Sequence, residues 1–206
     1  MEIKKESEPQ DYLESIKIME KRVEEIISGK KEELIWFLDY PSIYTTGSKE
    51  NNSDLLIKNK FPLFKSNRGG KLTYHGPGQR VVYLMMDLNT RKKDIRAFVH
   101  SIENIILKTL INFEVKAKLD SKHHGVFVQK QNGNNYKIAS IGLKFKNWVT
   151  YHGFSININT NLNEYEGIRP CGLDNKFVTS LSDLGINIEN QGLDDILVSN
   201  INKEFK

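Results

Sequence analysis

Apolar residues recur at helical spacing in two long stretches of the chain and crowd into short runs elsewhere. In residues 9–28, Ile16, Met19, Val23, Ile26 and Ile27 form one stripe, Pro9 suits a first turn and Gly29 a stop, so the spacing predicts a helix. Residues 94–112 predict a second helix, with Asp94 as its cap and Phe98, Val99, Ile102, Ile105, Ile106 and Leu110 on one face. Between them, Leu34 to Leu38 reads as a buried strand ended by Pro41, and 61–65, 71–75 and 79–88 read as strands separated by glycine-rich turns. Val81 to Met86 is nearly all apolar, the pattern of a central strand covered on both faces. Four further strands are predicted at 115–119, 125–129, 136–145 and 148–158, with Lys146-Asn147 as a hairpin turn and Gln131 to Asn135 as a lengthened turn. Residues 194–205 read as a closing helix.

Strands cluster in the middle without strict βα alternation. That predicts an α+β fold in which a central mixed or antiparallel sheet is flanked by helices on one face. No internal repeat or low-complexity linker interrupts residues 1–206, so a single catalytic domain is expected. No Gly-x-Gly-x-x-Gly follows a strand and no phosphate-binding Gly-x-x-x-x-Gly-Lys-Ser/Thr loop occurs, which disfavours a doubly wound nucleotide fold.

Composition adds little to this: 206 residues, 38% hydrophobic and 27% charged, are ordinary for a globular protein. The net charge of +4 is dispersed in pairs such as Lys4-Lys5 and Lys92-Lys93 rather than gathered in a stripe. This argues against nucleic acid and suits an acidic protein partner. No apolar run approaches the roughly 18–20 residues of a membrane span. The N-terminus has no apolar export segment, and there is one cysteine, so a reducing, cytoplasmic setting is expected.

Candidate chemistry sits in four places. Residues 68–79, Arg-Gly-Gly-Lys-Leu-Thr-Tyr-His-Gly-Pro-Gly-Gln, hold four glycines whose amides could face an anion or oxyanion, with Arg68 to pair a carboxylate or phosphate and His75 to move a proton. Lys137-Ile138-Ala139-Ser140-Ile141-Gly142 is a largely buried strand opened by a lysine, whose charge would favour the thiolate of any nearby cysteine. Thr150 to Asn157 carries His152-Gly153, either a close approach to a ligand or a bulge. The lone Cys171 lies in Arg169-Pro170-Cys171-Gly172, a stiff bend that fits a packing thiol and a reactive one equally. His123-His124 lack partners at metal-ligand spacing, and no Gly-x-Ser-x-Gly elbow is present.

Taken together, these four blocks resemble the octanoyltransferase family. The pattern Arg-Gly-Gly-x-x-Thr-aromatic-His-x-x-Gly-Gln is met by residues 68–79, Lys-Ile-Ala-Ser/Ala-x-Gly by 137–142, Thr-x-His-Gly-x-Ala/Ser-x-Asn by 150–157, and Pro-Cys-Gly by 170–172, all in family order. The resemblance implies the fold shared by biotin and lipoate protein ligase catalytic domains. It implies that Cys171 is an acyl-thioester nucleophile and Lys137 its activating partner. It also implies an acyl-substrate site lined by Arg68, Gly69, Gly70, Lys71, Leu72, Thr73, Tyr74, His75, Ser140, Ile141, Gly142, Gly153, Phe154 and Ser155. The implied donor is octanoyl-acyl carrier protein. The implied acceptors are apo lipoyl domains of 2-oxoacid dehydrogenase E2 subunits and the glycine cleavage H protein. No cofactor, metal, nucleic acid or membrane is expected, and the protein is expected to act as a monomer. The competing expectations are an ATP-dependent lipoate or biotin-type ligase and an octanoyl amidotransferase, both on the same fold.

Overall fold

A computed structural model describes residues 1–49, 52–120, 123–170 and 177–205. Among these residues seven strands form one sheet in the order β1 (Glu2–Lys5), β2 (Leu34–Leu38), β6 (Gln79–Met85), β10 (Val149–Asn157), β9 (Asn135–Lys146), β8 (Val126–Gln129) and β7 (Ala117–Leu119). Only β1 and β2 pair in parallel, so the sheet is mixed. A smaller sheet orders β4 (Leu63–Lys65), β3 (Ile43–Thr46) and β5 (Thr73–His75).

All seven residues of β6 are buried, as expected of a strand covered on both faces. Alternation along it divides the core. Val82 and Leu84, with Met86 just beyond, join helices α2 (Ile95–Ile111) and α3 (Asn190–Glu204) on one face. Val81, Tyr83 and Met85 join helix α1 (Tyr12–Ile27) on the other. Helices therefore cover both faces, which corrects the one-face expectation. A helical stripe shows that α1 must bury a face, but not which side of the sheet receives it.

Asp94 caps α2 by accepting from the Ala97 N–H at 3.0 Å. Helix α1 starts at Tyr12 instead of Pro9, because Asp11 caps it through the Glu14 N–H at 2.9 Å. Helix α3 begins four residues before Asp194. The β9–β10 hairpin turns on Asn147 (φ 49°) and Trp148 (φ 65°), one residue later than the pattern suggested. Positive φ at both central residues is the turn geometry that matches strand twist. Strands β1 and β3 were not expected. Among the described residues no helix is long and apolar enough to cross a membrane.

One buried cation ties the layers together. Arg80 on β6 donates from Nε and Nη2 to Asp194 at 3.0 and 2.7 Å, and from Nη1 to Asp39 at 3.0 Å and the Glu6 carbonyl at 3.1 Å.

Candidate active site

The glycine block lies where the small sheet meets β9. Arg68 is buried, and its Nη2 donates to the Thr45 carbonyl and hydroxyl, both at 2.9 Å, while Nη1 donates to the Gly69 carbonyl at 3.0 Å. The Gly69 N–H donates to the Leu143 carbonyl at 2.8 Å. That amide is therefore taken, which narrows the expectation that the block leaves its amides open. Gly142 on β9 answers it closely, since a Cβ there would lie 3.1 Å from both Arg68 Cδ and the Gly69 carbonyl oxygen.

A narrow cleft of about 40 Å³ runs between the two sheets. Arg68, Gly70, Thr73 and His75 line one side. Ser140, Ile141 and Gly142 from β9, with Gly153, Phe154 and Ser155 from β10, line the other. These are ten of the expected substrate residues. The cleft shares Gly70, Ile141 and Gly142 with an open groove of about 610 Å³, which Gly69 and Lys71 also line. Leu72 and Tyr74 do not reach the cleft. Alternation along β5 turns Thr73 and His75 toward it and sends Leu72 and Tyr74 into an apolar cluster with Tyr44, Tyr165, Ile168 and Val178. Sequence reasoning missed Tyr12, Val81 and Tyr83, which line the cleft too but read as ordinary core positions, and it left His152 out of the site.

Two imidazoles face this cleft, and burial is the main cause of their low proton affinity. His75 is pushed down to about 4, with the Arg68 charge adding to burial and the bond to Gln79 opposing it. His152 is pushed down to about 3 by burial, Arg68, Lys144 and His75. Both rings are neutral at physiological pH. His152 holds φ 61°, a left-handed conformation uncommon for non-glycine residues, and its Nε2 lies 3.1 Å from Asn67 Oδ1. Next to it, Gly153 has no room for a side chain, as a Cβ would come 2.1 Å from the Val82 carbonyl oxygen. The Thr73 hydroxyl, also lining the cleft, is buried without a hydrogen-bond partner among the described residues.

Lys137 reaches its place through a bulge. Val126 pairs with Ala139 but Phe127 pairs with Lys137, so Ile138 is an extra residue in β9. Ile138 and Ala139 both enter the core beneath α2 and α3. The change of parity puts Lys137 on the same face as Ser140. Lys137 is 2% exposed, and its Nζ has no hydrogen-bond partner among the described residues. It lies 5.4 Å from the centroid of the Phe127 ring. An ammonium so buried is costly unless something compensates it.

The Lys137 N–H donates to the Phe177 carbonyl, and its carbonyl accepts from the Thr179 N–H, both at 2.9 Å. Val178 thus bridges to Lys137 in parallel. Cys171 lies outside the described residues, which stop at Pro170 and resume at Phe177. Among the described residues no three His, Cys, Asp or Glu side chains gather as a metal would require.

Residues 11–202 match the lipoyl protein ligase A/B catalytic domain, and the chain belongs to that family. It is 46% identical over 206 residues to the octanoyltransferase of Ehrlichia chaffeensis, covering 100% of this chain and 96% of that one. With the octanoyltransferase of Bartonella bacilliformis it shares 43% over 195 residues, 91% of this chain and 81% of the relative. By these relatives it is an acyltransferase. Its fold is similar to that of a bipartite lipoate protein ligase from Thermoplasma acidophilum, with a TM-score of 0.72 at 13% identity, over 98% of this chain and 82% of that one.

Proposed function

We propose that this chain moves an octanoyl group from octanoyl-acyl carrier protein to the lysine of apo lipoyl domains, through a thioester on Cys171. The acceptors in this reading are the E2 subunits of 2-oxoacid dehydrogenases and the glycine cleavage H protein. The observation that carries it is Lys137: a buried ammonium without an anion among the described residues, bonded through its backbone to Phe177, six residues after Cys171 in the chain. The octanoyltransferase names of relatives at 46% and 43% identity supply the acyl group.

In the first half-reaction the Cys171 sulfur attacks the thioester carbonyl. A new C–S bond forms and the bond to the carrier's thiol breaks. The Lys137 ammonium holds Cys171 as the thiolate and gives its proton to the departing thiolate, which leaves Lys137 a neutral amine. In the second, the acceptor lysine's neutral amine attacks octanoyl-Cys171. The C–N bond forms, neutral Lys137 takes the amine's proton, and the C–S bond breaks to release Cys171 as the thiolate beside the restored ammonium. Exchange between two thiols is nearly thermoneutral, whereas forming an amide from a thioester is downhill, so neither step needs ATP. The cleft on the Ser140 face receives the acyl chain. At about 0.8 kcal/mol per buried CH₂, its wall of Tyr12, Val81 and Tyr83 can select chain length. A cavity of about 40 Å³ must widen for this, as even benzene occupies engineered cavities of about 150 Å³. In this reading residues 1–206 form one catalytic domain that works as a cytoplasmic monomer.

Intact-protein mass spectrometry after mixing with octanoyl-acyl carrier protein tests the reading. An octanoyl adduct on Cys171 that disappears on adding an apo lipoyl domain supports it. No adduct, or transfer only with ATP, overturns it.

A further inference from the structure

The His75 ring is tied into a hydrogen-bond chain that reaches a backbone carbonyl, and that anchor fixes the position of every proton along it. Thr179 O is a carbonyl and can only accept, so the group 2.9 Å from it must be the Asn157 Nδ2. The Asn157 Oδ1 is then the acceptor at the other end. It receives Gln79 Nε2 at 2.9 Å and the Tyr165 hydroxyl at 3.1 Å. Gln79 Nε2 also donates to the Tyr165 oxygen at 2.9 Å. Flipping the Gln79 amide would set two carbonyl oxygens 2.9 Å apart. Gln79 therefore turns its Oε1 to His75 Nδ1, at 2.7 Å. An amide oxygen only accepts, so Nδ1 carries the proton.

We propose that Gln79 is a positioning residue which locks His75 in its Nδ1–H tautomer and leaves Nε2 bare in the cleft, as the acceptor that aligns the N–H of the attacking amine. The identity of that amine, a lipoyl-domain lysine, rests on the octanoyl reading, whereas the tautomer does not. His75 lines the cleft, and no described residue bonds its Nε2. Burial and the Arg68 charge keep the ring neutral against the opposing pull of the Gln79 bond. Arg68 and His152 lie on the cleft side, the Tyr40 ring packs at a tilt with its centroid 6.0 Å away, and Gln79 is uncharged. A ring of such low proton affinity accepts a hydrogen bond and does not retain the proton. Nε2 thus orients the amine lone pair toward the thioester while the proton leaves by Lys137.

Long-range proton–nitrogen correlation spectra of histidine-labelled native protein read the tautomer directly. A protonated Nδ1 and bare Nε2, unchanged from about pH 8 to about pH 5, is the expected pattern. An Nε2–H signal for His75 overturns the proposal. Gln79→Met removes the acceptor, so both tautomers should appear. Transfer from octanoyl-enzyme to a lipoyl domain should slow at least tenfold, while acylation by octanoyl-acyl carrier protein changes less than twofold. Equal slowing of both half-reactions, or a tautomer mixture with unaltered transfer, also overturns it. Should that variant not fold, Gln79→Glu decides instead. A carboxylate facing Nδ1 raises the ring's proton affinity, so transfer should gain an acid limb absent from the native enzyme, and a native-like pH profile refutes the role. An enzyme that never acylates removes the octanoyl reading and the amine with it, whereas the native spectrum still reports on the lock.

Discussion

Gly125 lies against Lys137 so closely that a Cβ on the glycine would come 2.9 Å from Lys137 Cε and 2.5 Å from the Ala139 carbonyl oxygen. Its φ of 119° is open to glycine and strained for other residues. The lysine's position is therefore set from two sides, by the Ile138 bulge in its own strand and by a missing side chain just before the neighbouring strand β8. Gly125→Ala should displace the ammonium and strain the backbone. Single-turnover rates for both half-reactions should fall together by about 10- to 100-fold, and urea melts should show a loss of about 1–3 kcal/mol. A variant with normal rates would show that the position of Lys137 is not critical.

Replacing the lysine itself should separate stability from activity. Lys137 holds a 2% exposed charge with no hydrogen-bond partner among the described residues, over an aromatic ring. Methionine has similar length and no charge to desolvate. Lys137→Met should be at least as stable as the native protein in urea. Acyl transfer should drop by at least about 100-fold. A marked loss of stability would mean that the ammonium is held by a strong partner, and the reading of Lys137 as a group kept for chemistry would fail.

The sequence was most informative where local pattern and burial agree. Strand Leu34–Leu38 and the α2 cap at Asp94 stand where the pattern put them. Long-range geometry was less legible. Nothing in Lys137-Ile138-Ala139-Ser140 announces that one residue is extra, yet that bulge decides whether the lysine and Ser140 share a face. The glycine block was read as a continuous lining, whereas β5 alternates and turns Leu72 and Tyr74 away. Tyr12, Val81 and Tyr83 could not be told from core residues, because a cleft wall and a core have the same composition. Trp148 in a left-handed turn position is similarly hidden, since hairpin signals favour glycine or asparagine there.

Arg80 should matter for stability away from the cleft. It is 2% exposed and holds Asp194, also 2% exposed, through two hydrogen bonds. Arg80→Met leaves Asp194 buried without its cation, a loss of about 3–5 kcal/mol at neutral pH. Burial already raises the Asp194 carboxyl above its ordinary value, with Arg80 opposing the rise. Without the guanidinium the native-state affinity for a proton increases further. A native pKa above the unfolded one favours the native state as pH falls, so the variant should recover part of its loss between about pH 7 and about pH 5. Urea melts of both proteins at the two pH values test this. A variant that loses further stability in mild acid, relative to the native protein, would refute the pairing.

The two cleft histidines impose the opposite trend on the native protein. Their native pKa values of about 4 for His75 and about 3 for His152 lie below the ordinary histidine value of 6.5. The unfolded chain takes up these protons as pH falls below about 6.5, while the folded protein does not until about pH 4. Stability from burying neutral rings is thus complete above the unfolded value and declines through this window, by up to about 1.4 kcal/mol per pH unit for each ring. The double variant His75→Gln, His152→Gln carries no such linkage. Its stability at neutral pH should be lower, since it gives up the Gln79 and Asn67 contacts, but its slope between about pH 6 and about pH 4.5 should be flatter. Urea denaturation across that range measures both slopes. Equal slopes would mean that the rings protonate in the folded state, and that the cleft is wetter than its closed walls indicate.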